Sequence, residues 1–344
     1  MNHLAQTANL ALAASILEGS AVNAPEAGPW QHGRITTAND SLFSATHFSE
    51  PMTNYAVGWT DPAGYDKLTE FIAPNFQAPG ELFEHLVFTN AEEFYSDGAN
   101  DDLRAINASF KTIDYTPGKT QRKVNNRGLR IELDWDRIKN DPMWQQRYTG
   151  KLLSRLHRNQ ARRAFALALA SATSDTLSWS SDPTVLPDIS LNAEKIACGD
   201  SSGIAPNRIL IGENAWQTRL DCLGSISSGS ANAYAAAAMM NRSAAEVGAF
   251  LGMEPLLDSS RYQTGTTKTQ IVGNNILLLN GQSGVDADDP TNFKLAWTPC
   301  QNGQRFAVYV RQLSVKKWEI VVEHYELLFC ATPLGVRALS IVTS

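Results

Sequence analysis

The residues best suited by type to nucleophilic chemistry lie in a short segment, 198–203, which reads Cys-Gly-Asp-Ser-Ser-Gly. A serine hydroxyl attacks a carbonyl carbon when a histidine takes its proton and a buried carboxylate orients that histidine. Ser201 is the candidate nucleophile, and His47, which precedes it in the chain, is the candidate base. These residue types raise the hypothesis of a soluble serine hydrolase that uses Ser201.

This segment resembles the nucleophile loop of trypsin-like serine proteases, but two features argue against that family. Ser202 stands where the family motif has its second glycine, which the close backbone approach requires. A long helix predicted near 142–173 has no place in a two-barrel protease. We therefore expect 199–203 to be a loop between a helix and a strand, and the hydrolase remains the weaker alternative.

Other candidate motifs give no catalytic, metal or cofactor site. The Gly- and Ser-rich segment 224–230 has no Gly-Lys-Ser/Thr and no strand directly before it, so we predict a flexible loop. The carboxylates Glu92-Glu93 and Asp101-Asp102 are sequence neighbours, which is typical of a solvated acidic face. The four cysteines form no CxxC pair, and the six histidines form no HxH or HExxH pair. We predict no cofactor and no enzyme activity.

Composition excludes several classes of protein. The chain has 344 residues, 43% of them apolar and 19% charged, which is typical of a globular protein. The net charge of −6 argues against a dedicated nucleic-acid binder. No apolar run reaches the ~18 residues that a membrane helix needs, so no membrane partner is predicted. Residues 4–17 lack a preceding Lys or Arg, which favours a short docking helix over a signal peptide.

Charge is segregated along the chain. Residues 50–102 hold 11 acidic residues and one basic residue, a net charge of −10. Residues 119–163 hold 13 basic and four acidic residues, a net charge of +9. Blocks of opposite sign can satisfy each other within a subunit or between subunits. We predict self-complementary association of copies rather than two unrelated solvated faces.

The first ~65 residues are punctuated by Gly, Pro, Asn and Ser and carry spaced aromatic anchors. Such a segment cannot bury itself, so we predict an arm that lies across another surface. Phe43, Phe48 and Tyr55 are its candidate inter-subunit contacts.

Two strand patterns follow the arm. Glu81–Phe88 is apolar and strand-like, and Leu129, Ile131 and Leu133 alternate with charged residues. We predict that these strands form an extended hairpin around a long polar tip. An isolated hairpin is marginally stable, so it must rest on another surface.

The clearest single element is a long helix. Asp141-Pro142 is a strong helix start, and Trp144, Tyr148, Leu152 and Leu156 recur every four residues. No Gly or Pro interrupts residues 151–179, which predicts a helix of about 30 residues, roughly 45 Å long. Arg147, Arg155, Arg158 and Arg162 fall largely on its other faces.

Beyond Trp179 the patterns predict alternating short elements. The predicted helices are 190–198, 213–220, 231–240 and 243–251, the last with a capping box of Ser243 and Glu246. The predicted strands are 208–211, 254–257, 271–279, 306–310 and 318–328, and a segment at 334–342 follows. Because the later strands pair with elements near the long helix, we predict an α+β fold of two discontinuous domains.

This order of elements resembles the major capsid proteins of tailed bacteriophages, which have the Hong Kong 97-type fold. Six short segments carry the resemblance. They are Phe-Ile-Ala-Pro at 71–74, Asn-Arg-Gly-Leu at 126–129, Asp-Pro-Met-Trp at 141–144, Pro-Asn-Arg-Ile-Leu-Ile-Gly at 206–212 with Trp216, Gly-Met-Glu-Pro-Leu-Leu at 252–257, and Pro-Leu-Gly-Val-Arg at 333–337.

The resemblance implies an α+β fold of five parts. They are an N-terminal arm (1–70), peripheral domain strands (71–95 and 290–344), an extended loop (96–135), a spine helix (141–175) and an inserted axial domain (185–285). Some members of the family crosslink a loop lysine to a neighbour's asparagine. Lys111, Lys119 and Lys123 lie in the loop and Asn292 and Asn302 in the peripheral region, although nothing in the sequence specifies a crosslink.

The implied function is a shell protein whose hexamers and pentamers build an icosahedral head around double-stranded DNA. Its expected location is the virion, assembled in the host cytoplasm, and scaffold, portal and decoration proteins are further expected partners. Arg122, Lys123 and Arg127 are candidate inter-subunit contacts, and Arg155, Arg158 and Arg162 are candidate DNA-facing residues. An encapsulin-type nanocompartment shell is the alternative on the same fold.

Overall fold

The computed structural model describes residues 47–87, 102–104, 109–110, 118–179, 186–226, 230, 232–282, 289, 291–300 and 303–343. The helices of this part are α1 (Glu50–Gly58), α2 (Tyr65–Ile72), α3 (Trp135–Ile138), α4 (Trp144–Ser171), α5 (Pro187–Ser202), α6 (Glu213–Ser225), α7 (Ala233–Met240) and α8 (Ala244–Leu251). The strands are β1 (Asn75–Gln77), β2 (Leu82–Val87), β3 (Gly118–Lys123), β4 (Asn125–Asp134), β5 (Thr173–Trp179), β6 (Arg208–Gly212), β7 (Glu254–Asp258), β8 (Arg261–Thr264), β9 (Thr267–Gln270), β10 (Asn275–Leu279), β11 (Phe293–Thr298), β12 (Phe306–Ser314), β13 (Lys317–Cys330) and β14 (Arg337–Thr343).

The first sheet is organised around β13. Strand β4 lies antiparallel along one side of β13, while β12 and β11 follow one another along the other side and β1 continues beyond β11. The apolar positions of β4 face the core, where Leu133 is buried and Ile131 and Leu129 are half-buried. The alternating strand was predicted correctly, but its predicted partner is wrong. It pairs with β13, because that pairing buries its apolar face, while β2 pairs with β3.

Helix α4 crosses this sheet and is close to its predicted position. Asp141 Oδ1 accepts a hydrogen bond from the backbone N–H of Met143, and the helix begins at Trp144. Its 28 residues span about 42 Å. The helix ends at Ser171 rather than at the predicted residue 175, and Thr173–Trp179 is a strand that runs parallel to β14. This stretch is rich in Ser, Thr and Asp, which are weak helix formers, and it gains a strand partner instead.

The predicted stripe of α4 is confirmed as core. Trp144, Leu152 and Leu156 are buried and Tyr148 is half-buried against the first sheet. Helix α1 packs into the same cluster through Met52 and Ala56. The prediction that the whole arm lacks a packing partner in its own chain is therefore corrected for residues 47–58.

The second sheet has the strand order β5-β14-β10-β6-β7. Helices α5, α6 and α8 cover one face, where Leu191, Ala215 and Val247 pack together. The other face meets α2 and the second half of α4. Strand β14 is an inner strand of this sheet, between β5 and β10, so 337–343 do not pair with the strands of the first sheet as the grouping of 290–344 predicted.

Several local predictions in this region are confirmed. The helix at 244–251 has Ser243 as N-cap and the reciprocal hydrogen bonds of a capping box with Glu246. The predicted strand at 208–211 and the helix after it are also present. Three boundaries are wrong: 199–202 belongs to α5 and 224–225 to α6 rather than to loops, and 271–274 is a turn before β10.

Candidate functional site

A two-stranded ribbon, β2–β3, leaves the first sheet without being part of it. The register runs from Leu82 opposite Lys123 to Val87 opposite Gly118. Its base is held by Phe83, which is buried beside Phe76 and Phe329. Strand β3 reads Gly-Lys-Thr-Gln-Arg-Lys and contributes no apolar residue. The ribbon is therefore anchored at its base and polar along its second strand.

The three candidate contact cations differ in their surroundings. Arg122 is half-buried at the ribbon base, with its guanidinium carbon 6.0 Å from the centre of the Phe329 ring. Lys123 is exposed. Arg127 lies on β4, and its Nε is 3.2 Å from Oε1 of Glu326. Arg127 is thus engaged within its own chain, while inter-subunit contact by any of the three stays a prediction.

The candidate anchors of the arm also have partners in the chain. The ring of Phe48 meets the ring of Tyr309 edge-on, with centroids 6.0 Å apart. Tyr55 is half-buried against the core that α1 shares with α4. Phe43 lies outside the described residues.

Helix α4 carries a row of cations on one face. It contains no Asp or Glu along its 28 residues. Arg155, Arg158 and Arg162 are spaced by three and four residues, so they share a face. Lys151, four residues before Arg155, extends the row and is exposed. Sequence reasoning missed Lys151, although the same spacing identifies it.

Aromatic rings support two members of this row. The guanidinium carbon of Arg158 is 5.1 Å from the centre of the Tyr65 ring, and that of Arg162 is 3.8 Å from the Tyr262 ring. A guanidinium stacked on a ring keeps its N–H edge available for a phosphate or carboxylate. The arrangement is a cationic row suited to an extended anionic partner.

A buried charge network fixes α4 to β13. Glu326 accepts hydrogen bonds from Gln160 and Arg163 of α4, and Arg127 and His324 also lie beside its carboxylate. Burial alone would raise the pKa of Glu326, but the hydrogen bond and charge of His324, with those of Arg163, lower it to about 2. Burial also lowers the pKa of His157, on the same helix. The network therefore positions the cationic row of α4 relative to the sheet.

The hydrolase candidates are placed on a helix end. The hydroxyls of Ser201 and Ser202 both donate to the carbonyl oxygen of Cys198, at 3.0 and 2.7 Å. Gly203, with φ of 73°, ends the helix. These bonds are typical of serines that close a final helical turn.

The described part of the chain offers little support for a metal, crosslink or membrane-spanning site. No group of three or more His, Cys, Asp or Glu side chains there is arranged to hold a metal ion. The side chain of Asn292 is buried and bonds Asn280, Thr332 and Leu334, which removes it as an exposed crosslink partner. None of the described helices is long and apolar enough to cross a lipid bilayer.

Comparisons with known proteins connect this fold to phage proteins. No protein-family model and no curated protein matches the sequence. Among solved structures, a phage-related protein from Bordetella bronchiseptica RB50 matches with a TM-score of 0.63 and 14% identity, over 85% of this chain and 96% of that one.

A second solved structure is described as the capsid protein of a prophage of Escherichia coli CFT073. It matches with a TM-score of 0.50 and 11% identity, over 86% of this chain and 99% of that one. A third, the holo-SrpI encapsulin complex from Synechococcus elongatus PCC 7942, has a TM-score of 0.46 and 10% identity, over 88% and 94% of the two chains. The first two likenesses show that the chain has an α+β fold of the kind found in phage capsid proteins.

Proposed function

We propose that the protein is a major capsid protein of a tailed bacteriophage, a structural subunit without a catalytic residue. Copies assemble as hexamers and pentamers into an icosahedral shell around double-stranded DNA. The observation that carries this proposal is the fold shared with the Escherichia coli prophage protein over 86% of the chain. Because a fold alone does not define function, the surfaces of this chain must also suit assembly.

The finer architecture we propose is that of the Hong Kong 97-type fold. The β2–β3 ribbon forms the base of the extended loop, and α4 is the spine helix. The sheet around β13 belongs to the peripheral domain, and the sheet around β10 belongs to the axial domain. A ribbon that leaves its own sheet supports this assignment, because such an element needs a second surface to rest on.

The packaged DNA is the partner that suits the cationic row of α4. Lys151, Arg155, Arg158 and Arg162 share one face of a helix that has no acidic residue. Lys and Arg bind phosphates without sequence preference, and the affinity falls as salt rises. Scaffold, portal and decoration proteins are the further partners of such a shell, which forms in the host cytoplasm and ends in the virion.

Electron microscopy of the purified, concentrated protein tests the proposal. We expect closed shells of uniform size, and particles made during infection should contain nuclease-protected double-stranded DNA. Shells that enclose a protein cargo without DNA would instead support an encapsulin-type compartment. Absence of shells under all conditions of salt and concentration, together with an activity lost on Ser201→Ala, would replace the proposal with the hydrolase.

A further inference from the structure

Strand β13 carries three buried glutamates, and only two of them have cationic partners. Glu319 pairs with Arg130 and Arg311, and its side chain is fully buried. Glu326 is held by arginines and His324, as described above. Glu323 is 6% exposed, yet among the described residues it forms no ion pair. A buried carboxylate is costly unless it is paired, so Glu323 calls for an explanation.

The hydrogen bonds of Glu323 hold it as an acceptor. Tyr309 donates its hydroxyl to Oε1 at 2.8 Å, and Asn126 donates its side-chain amide to Oε2 at 3.3 Å. These neutral donors orient the carboxylate but leave its charge unbalanced. A buried carboxylate that is held only by neutral donors is more typical of a ligand-binding group than of a structural ion pair.

The carboxylate lines an open cleft of about 550 Å³. Its walls include the side chains of Tyr309, Tyr325 and Cys300, and its rim includes Glu81, at the start of the ribbon. Gly128 lies directly opposite Glu323 across the strand pair. A Cβ at Gly128 would be 2.8 Å from the carbonyl oxygen of Val322 and 3.3 Å from Cβ of Glu323. The residue facing Glu323 therefore has no side chain that could cover it.

The uncompensated charge affects the neighbouring groups. Burial, followed by the negative charge of Glu323, raises the pKa of the Cys300 thiol to about 12. Burial and the hydrogen bond to Glu323 raise the pKa of Tyr309, and burial and the charge of Glu323 raise that of Tyr325. Three groups on the cleft wall thus experience a negative potential.

We propose that the cleft at Glu323 is a binding site for an organic cation, an ammonium or guanidinium group. The carboxylate supplies the charge, and the aromatic residues Tyr309 and Tyr325 line the same cleft. A metal ion is a poorer match, because the cleft offers one buried carboxylate rather than the several oxygen ligands that Ca²⁺ or Mg²⁺ requires.

An ammonium or guanidinium group can reach the cleft from two sources. The first source, which rests on the proposed function, is a Lys or Arg side chain of a neighbouring copy in the shell. The other source is a free polyamine or amine from solution. The site itself does not depend on assembly, so it is testable on the isolated subunit.

Glu323→Gln is the decisive variant, because it keeps the shape, removes the charge and leaves one acceptor oxygen for the hydroxyl of Tyr309. We expect unchanged folding, an equal or higher Tm, and several-fold faster alkylation of Cys300 at pH 9, since thiolate is the reactive form. The matched control is Glu319→Gln on the same strand, which removes the anionic partner of Arg311 and leaves Arg130 only the exposed Glu132, and which should lower the Tm. A Tm for Glu323→Gln that falls as far as that of the control would mean that Glu323 is merely structural.

Binding is measured with n-butylammonium on the full chain by ligand-observed NMR, with 1-butanol as the uncharged control of equal size. We expect butylammonium to bind the wild type, with about tenfold weaker binding to Glu323→Gln because the charge-assisted bond is lost. Equal binding to both proteins, or none to the wild type, overturns the proposal.

Assembly assays separate the two sources. If butylammonium slows shell formation more than the same concentration of NaCl does, and Glu323→Gln also assembles slowly, the cation belongs to a neighbouring copy. If it binds without affecting assembly, the ligand is a free amine. If the wild type forms no shells at all, the proposed function fails, while the NMR measurement still decides the cation site.

Discussion

Side chains of α4 hold the helix against the first sheet through apolar packing and through ion pairing. Leu152, which is 7% exposed, belongs to the apolar cluster that α1, α4 and β13 share. Truncating Leu152 to Ala should lower the free energy of unfolding by about 2–5 kcal/mol, because lost burial and a residual cavity add. Urea denaturation measures this. Arg155→Ala, an exposed change on the same helix, should stay within about 0.5 kcal/mol.

The ion pairing between α4 and Glu326 depends on pH. Because the pKa in the folded protein is about 2, against 4.5 normally, the ionised carboxylate stabilises the fold above pH 4.5. This contribution is lost as the pH falls from 4.5 through 2. Glu326→Gln should cost about 3 kcal/mol at pH 7 and progressively less towards pH 2.

Urea denaturation of wild type and Glu326→Gln at pH 7 and pH 3 measures that difference. Glu84→Gln, which alters an exposed carboxylate on the ribbon, serves as the control and should change stability by less than about 0.5 kcal/mol at either pH. If the difference in unfolding free energy between wild type and Glu326→Gln is the same at pH 7 and pH 3, the lowered pKa of Glu326 is contradicted.

Strand β6 and the turn before β10 approach each other so closely at Gly212 that no side chain fits there. A Cβ at Gly212, between β6 and α6, would lie 2.1 Å from the carbonyl oxygen of Gly273. Gly212→Ala should therefore destabilise the protein by about 1–3 kcal/mol or more. Gly224→Ala, inside α6, would meet only the end of Met240 at 3.4 Å and should be neutral or stabilising. Thermal denaturation of the two alanine variants side by side compares them directly.

The ribbon and the cationic row of α4 are separable by charge reversal. Lys151→Glu, Arg155→Glu and Arg162→Glu together change exposed positions, and this variant should form empty shells but package less DNA. Arg122→Glu with Lys123→Glu should slow the assembly of empty shells, most clearly at low salt. Arg127 is left out of this pair because it contacts buried Glu326. Light scattering and nuclease protection are the two measurements, and normal assembly of the ribbon variant at low salt would exclude it as an interface.

Local elements of this fold were more predictable than their partners. The capping box of Ser243 and Glu246 and the alternation in β4 are local patterns, and both were predicted correctly. The strand at 173–179 was missed because no Gly or Pro marks the end of α4, and only its pairing with β14 makes it a strand. The networks of Glu323 and Glu326 join residues from distant parts of the chain, so no spacing in the sequence indicates them.

At the scale of the whole molecule, the described end of the arm packs into the core of its own chain through α1. Deleting residues 1–46 should leave a folded subunit that assembles poorly, if that segment lies on a neighbouring copy. Deleting residues 1–60 also removes Met52 and Ala56 from the core and should lower the Tm further. Circular dichroism with light scattering distinguishes the two effects, and normal assembly after the shorter deletion would contradict a role for 1–46 in the shell.

The position of β14 near the end of the chain delays completion of the second sheet during synthesis. Residues 337–343 lie between β5 and β10, so β5 has no strand partner and β10 has an open edge until they have left the ribosome. Strand β5 must wait for a partner that is translated some 60 residues after β10, and such long-range closure is slow. A nascent chain therefore does not present a finished second sheet.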